Sequence, residues 1–405
     1  MKIQYKKPIL ILVTLWALFI SKAQAQEEKT MEIYGFIMTD AGYNFNQIHP
    51  DWFDVVRPTK LPSFKNEFGT DGNFFFSVRQ TRLGFKNYFK TGLGELRTHF
   101  EFEMFGTGVD AGQTTIRLRH AYAELGKFGA GQYWSPFMDI DVFPNSVEYW
   151  GPTGMAFFRN VQVRYMPIQG ASRLTFALER PGASADQGMY AGRVELQNVK
   201  ARFPAPDFSA EYRHAGKWGY VELAGIARYM EWEDMDATNP DLSGDALGWG
   251  VNLSTNLNLG KKIVFRGAAL YGEGIENYMN DAPVDVGIKN LDLTDPVHPI
   301  EGVALPVLGV TAFLDINWSN KFSSALGYSM IDIENSDGQN DDAFDKGNYA
   351  LANIMWYPVK NAMLGVEFQW GDRHNFNDGW STSITKVQFS FKYNFLQTFY
   401  RKIEE

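Results

Sequence analysis

The sequence predicts an all-β fold: a transmembrane antiparallel β-barrel of about sixteen strands, with short periplasmic turns and long extracellular loops. Three observations predict it. Segments of about ten residues alternate polar and apolar side chains along the chain. The connections between them alternate short and long. Past the N-terminus, no window approaches the roughly 18 consecutive apolar residues that a membrane helix needs, yet 15% of the chain is aromatic, with 32 Phe, 19 Tyr and 11 Trp. Mean hydropathy is negative. Abundant aromatics without long apolar runs are what alternating strands with interfacial girdles give.

The N-terminus reads as a secretory signal, residues 1–25. Lys2, Lys6 and Lys7 precede an apolar run from Ile9 to Ile20, and Ala23-Gln24-Ala25 stands in the A-x-A cleavage position. The mature chain, 26–405, is expected to leave the cytoplasm as a single barrel domain. It has no cysteine, which excludes a disulfide framework, a thiolate nucleophile and a Cys-ligated metal. The formal net charge of −9 argues against a nucleic-acid partner.

The clearest alternation is Glu95 to Phe105, where Glu95, Arg97, His99, Glu101 and Glu103 interleave with Leu96, Thr98, Phe100, Phe102 and Met104. Leu247–Leu259, Ala362–Gly371 and Lys386–Phe395 repeat the pattern. Strands are expected near 31–43, 73–90, 95–105, 114–125, 128–134, 157–166, 171–180, 207–214, 217–231, 246–259, 262–272, 304–317, 321–333, 347–357, 361–371 and 382–395. Residues 186–203 are placed in a loop although Arg193 to Ala201 partly alternates. Long and short joins sort to opposite ends, which a sandwich or propeller has no reason to do and an outer-membrane barrel does.

In such a barrel the polar face lines the lumen, because Lys or Arg at mid-bilayer on the lipid face costs about 2–4 kcal/mol. By parity Arg97, His99, Glu101 and Glu103 are lumenal, as are Arg117, Arg119, Arg164 and Arg173, with Arg213 and Glu211 on the same rule. Arg79 and Arg82 have opposite parity, and Arg82 is preferred, grouped with Gln80 and Lys86. These arginines form a basic wall. His120 follows Ile116 and Leu118 onto the outer face, which suggests either a subunit contact or the end of the membrane crossing. A barrel of about sixteen strands leaves an aqueous channel, and the third long loop, 135–156, is expected to fold inward as its constriction. Its acids Asp139, Asp141 and Glu148 would then face the arginines and set up a transverse field. Residues 396–405 read as a periplasmic tail.

The runs QTRLGFKNYFKTGLGELRTHFEFEMFGTG, TTIRLRHAYAELGKFGAGQYWSPFMDIDVFPNSVEYWGPTG and VQVRYMP, within residues 76–180, resemble the DcaP-like trimeric porins of Gram-negative outer membranes. The resemblance implies sixteen strands, a homotrimer in outer-membrane lipid, an inward third extracellular loop, and passive uptake of small anionic solutes such as carboxylates. It also implies Arg82, Arg97, Arg117, Arg119 and Arg164 as wall residues. The periplasmic coiled coil of some members is not expected here, because the first expected strand follows closely on Gln26. No cofactor or metal is expected: G-x-S-x-G, H-E-x-x-H, P-loop and dinucleotide motifs are lacking, and the six histidines show no metal-ligand spacing. The alternatives are a surface receptor or adhesin working through acidic loops such as Asp332–Asp345, where calcium could bind, and a barrel hydrolase.

Overall fold

A computed structural model describes residues 27–236, 241–292, 294–295 and 299–402. The signal segment 1–25 lies outside the described residues, as do 403–405. Twenty strands follow in order: β1 (Glu27–Asn44), β2 (Asn73–Ser77), β3 (Arg82–Thr91), β4 (Gly94–Phe105), β5 (Thr114–Leu125), β6 (Phe128–Trp134), β7 (Arg159–Ile168), β8 (Arg173–Glu179), β9 (Val199–Arg202), β10 (Asp207–Gly216), β11 (Gly219–Asp234), β12 (Gly244–Leu259), β13 (Ile263–Glu273), β14 (Val286–Asn290), β15 (Ile300–Ala304), β16 (Pro306–Ser319), β17 (Phe322–Ile333), β18 (Phe344–Trp356), β19 (Ala362–Asn375) and β20 (Ser381–Lys402). The wall is a closed antiparallel barrel of sixteen strands. β2 and β3 both pair with β1 and together make one crossing, while β20 pairs with β1 from Glu27↔Lys402 to Asn44↔Lys386 and closes the cylinder. Closure leaves no edge for unpaired backbone in lipid.

The wall is turned inside out relative to a soluble protein. On β19, Leu364, Val366 and Phe368 are 39%, 40% and 48% exposed, whereas Glu367 and Gln369 are 0%. That inversion requires an apolar solvent outside and a polar, filled interior. Turns at one end are as short as Gly126-Lys127 and Lys217-Trp218; at the other end the connections run as long as 45–72 and 274–305.

Two local features refine the sequence reading and one differs from it. Of the expected tail 396–405, residues 396–402 continue β20 and pair with β1 from Tyr34 down to Glu27, beyond the start of β19 at Ala362↔Tyr393. Residues 186–203 add no crossing, in keeping with their placement in a loop, and contribute β9, which pairs with Glu231–Asp234 at the extracellular tip of β11. The interruption at 78–81 breaks parity within one crossing, so Arg79 and Arg82 both turn inward. Arg79 is 1% exposed and pairs with Asp54 at 2.8 Å, Arg82 with Glu103 at 3.1 Å.

The extracellular half of the lumen is packed with loops. The first loop sends Val56 and Leu61 against Phe313, Ala325, Tyr349 and Leu351 of the inner wall. The third sends Phe137 and Met138 against Ala224, Ile226 and Leu270. Only the third was expected inside, because the sequence of the first, rich in Pro and charge, carries no periodicity to read.

Candidate functional site

The third loop, 135–158, does not jut across the lumen; it runs around the inner wall. From β6 it meets β10, where Arg213 reaches Asp139 and Asp141, each at 2.6 Å. Tyr220 and Ser254 donate to the other oxygen of Asp139 at 2.7 and 2.6 Å. Asn145 then bonds Asp315 and Ser323, both at 3.0 Å, and Ser146 donates to Glu367 on β19 at 2.8 Å. The carbonyl of Val147 accepts from Gln80 and Gln388. Glu148 pairs with Lys386 of β20 at 3.1 Å, both side chains 0% exposed. Tyr149 stacks on Phe105 with centroids 3.8 Å apart and bonds Glu103 and Arg117. Every acid of the loop is therefore held to the wall.

This corrects the expected transverse field. Asp139, Asp141 and Glu148 face Arg213 and Lys386, not the arginines of β3–β7. A buried carboxylate must find its counter-charge within hydrogen-bond reach, and the wall beneath each acid supplies one. Removing one partner of such a buried pair costs about 3–5 kcal/mol.

Burial pushes the Glu148 carboxyl up to about 7 from 4.5, in spite of Lys386 and the Val56 N–H that it accepts at 2.9 Å. The folded protein binds this proton more tightly than the unfolded chain. Its contribution to stability is therefore complete below pH 4.5 and is lost as pH rises to about 7. Amide exchange at Val147–Tyr149, corrected for intrinsic rates, is expected to show more frequent loop undocking at about pH 8 than at about pH 5. Glu148→Gln should flatten that dependence; an unchanged profile would show that another group titrates.

The arc from β20 through β1 to β7 carries a different balance. Glu101 and Glu103 sit at its centre. Glu103, 0% exposed, takes Arg82 at 3.1 Å, Arg119 at 2.7 Å and Arg117; Glu101 takes Arg119 at 2.6 Å and the Tyr34 hydroxyl at 2.7 Å. Arg159 lies 3.9 Å from Glu103, one of its terminal nitrogens without a partner. Lys86 stands 4.9 Å from the ring of Tyr34, Lys392 3.9 Å from Phe36, and Arg164 5.2 Å from Tyr133. Among the described residues no carboxylate comes within ion-pair distance of these last three. Other acids on the arc are engaged: Glu32 with Lys29 at 3.1 Å, Glu124 with Arg97 at 3.2 Å, and Asp40 with Gln80, Gln388 and Ser390. The arc carries an excess of positive charge.

Two residues expected in the basic wall belong elsewhere. Arg173 on β8 pairs with Glu211 at 3.0 Å and Glu222 at 2.8 Å, so it joins the neutralised cluster around Arg213. Arg97 is 56% exposed at the periplasmic rim, between Glu95 and Glu124. His120 is not outward: it is 2% exposed, with ring centroids 4.8 Å from His99 and 4.6 Å from Tyr133. The β4–β5 register steps from Glu101↔His120 to Phe102↔Leu118, so Arg119 is a bulge. One extra residue flips parity, and Arg119 and His120 both turn inward; the subunit-contact reading of His120 lapses. Lys86 shares the lumenal face with Arg82, as parity predicts, whereas Arg159, Lys386 and Lys392 were missed as members. Lys386 and Lys392 alternate with Val387, Phe389 and Phe391, a signal already present in the sequence.

The inverted wall, its sorted loops and its charged, loop-lined interior define an outer-membrane channel of the porin class. The family model "DcaP outer membrane protein" matches residues 19–395, and the chain belongs to that family. Its location is the outer membrane of a Gram-negative bacterium. The crystal structure of the outer membrane channel DcaP of Acinetobacter baumannii superposes with a TM-score of 0.75 at 22% identity, over 92% of this chain and 99% of that one. An anion-selective porin from Comamonas acidovorans gives 0.58 at 12% identity, covering 91% and 100%. OmpT, an outer membrane protein of Vibrio cholerae, gives 0.55 at 12%, covering 93% and 100%. At these identities the likeness is one of fold. No curated protein matches the sequence.

Proposed function

We propose that this channel passes small hydrophilic anions of the carboxylate type by diffusion, working as a homotrimer. One observation carries the reading: the arc from β20 to β7 has more cations than carboxylates, and the acids of the inward loop are spent on other partners. A carboxylate moving along the arc meets Arg159, Arg164, Lys86 and Lys392, whose field beside low-dielectric protein walls is stronger than in bulk water. The loop-packed half leaves this arc as the passage, with loop 135–158 as its constriction. The anion-selective porin of the same fold is consistent with this use of the lumen.

The test is single-channel recording of the native protein in a salt gradient, with a dicarboxylate added to one side. A reversal potential set by the anion, with brief dicarboxylate blockades, is expected. Cation selectivity would overturn the anion reading, and the absence of any stable conductance would favour a surface receptor.

A further inference from the structure

The loops over β8–β17 line a cavity of about 420 Å³. It lies between the 183–203 segment, the tips of β11 and β12, and the β14–β15 hairpin. Leu196, Leu242, Ile288 and Ile300 form a buried apolar cluster that contributes to its wall. Trp232 is its plate: a Cβ on Gly302 would stand 2.4 Å from the indole and one on Gly244 2.8 Å, so two glycines let the ring lie flush against backbone. The indole N–H is held by the Leu242 carbonyl at 3.0 Å, which fixes the ring face.

The surround is rigid. Arg228, 2% exposed, donates to Asp285 at 2.8 Å and Asp207 at 3.1 Å and to the carbonyls of Gly182 and Gly274. It thereby ties two loops to β11 beneath the cavity. Ala185 bridges Val286, and Gln339 reaches Asp186 at 3.1 Å from a further loop. A cavity held this way is preformed, and its volume lies in the range of sites for small organic ligands.

The charged side chains among its described lining residues are all acidic. The described lining residues include Asp186, Glu231, Asp241, Asp245 and Glu301 and no lysine, arginine or histidine. Arg202 and Lys289 reach in from outside the lining to Glu231 at 2.8 Å and Glu301 at 3.6 Å. An apolar floor with an aromatic face and an acidic rim complements a molecule with an apolar ring and a cationic end, through burial, cation–π contact and charge.

From this geometry we infer an extracellular binding site for amphipathic organic cations, separate from the anion path. The probe is 1-naphthylmethylammonium, titrated calorimetrically into the full protein in lipid nanodiscs, with 1-naphthylacetate as the anionic counterpart and empty nanodiscs as blank. Saturable binding of the cation, at least tenfold tighter than the anion, is expected. Asp245→Asn with Glu301→Gln should weaken it about tenfold, and Ala201→Trp, which fills the volume from β9, should abolish it. Channel conductance serves as the folding control and should be unchanged in all variants. Equal binding of cation and anion, no saturable binding, or cation binding indifferent to the Asp245/Glu301 pair would overturn the inference.

Discussion

Replacing Arg213 with alanine is expected to release the third loop and turn the channel toward cations. Arg213 holds Asp139, Asp141 and Glu222, each at 2.6 Å, with its guanidinium 3.6 Å from the centroid of Tyr220. Without it Asp139, wholly buried, loses the one cation that pairs with it among the described residues. Breaking a buried pair from one side costs about 3–5 kcal/mol; Asp139 bears that cost, whereas Asp141 is half exposed and Glu222 keeps Arg173 at 2.8 Å. The folded barrel should unfold at lower temperature in a heat-modifiable gel assay. Any loop that swings free carries two acids into the lumen and lowers the anion to cation permeability ratio. Unchanged stability together with unchanged selectivity would show that the loop is held by its apolar contacts, such as Phe137 against the β11–β13 wall.

The second large effect belongs to the unpaired cations. Lys392→Gln combined with Arg164→Gln should reduce anion preference about 25-fold or more, since each charge near the path at an effective dielectric of about 20 is worth roughly 1 kcal/mol or more, a factor of about five. Neither cation has an ion-paired carboxylate that its loss would strand, so the barrel should still fold. The reduction should be larger at about 0.1 M salt than at 1 M, because the screening length shrinks from about 10 to 3 Å. Reversal potentials at the two ionic strengths measure it. Arg119→Ala is the poorer probe, because it removes a buried cation shared by Glu101 and Glu103 and so confounds selectivity with folding. An anion preference that survives the double change would place selectivity at Lys86 and Arg159.

The crossings could be read from sequence because each is a local pattern. Leu364, Val366 and Phe368 against Glu367 and Gln369 is a period of two whatever the rest of the chain does, and all sixteen crossings lie where alternation and turn residues put them. Parity also located Glu101 and Glu103, around which Arg82, Arg117 and Arg119 gather. It failed wherever one residue interrupts the pleat. The bulge at Arg119 moved His120 from outside to inside, and the break at 78–81 admitted Arg79 beside Arg82. A bulge changes hydrogen-bond register without changing composition, so no local pattern announces it.

The sequence by itself determined the barrel, its sixteen crossings and one of the two loops that enter it. Which charges cancel was decided only by the tertiary structure. Asp139 meets Arg213 across 74 residues of chain and Glu148 meets Lys386 across 238, because a loop folded inside a closed cylinder can reach any strand. Net charge along the sequence cannot show which cations keep a free field; that depends on where each buried acid finds its nearest partner in space.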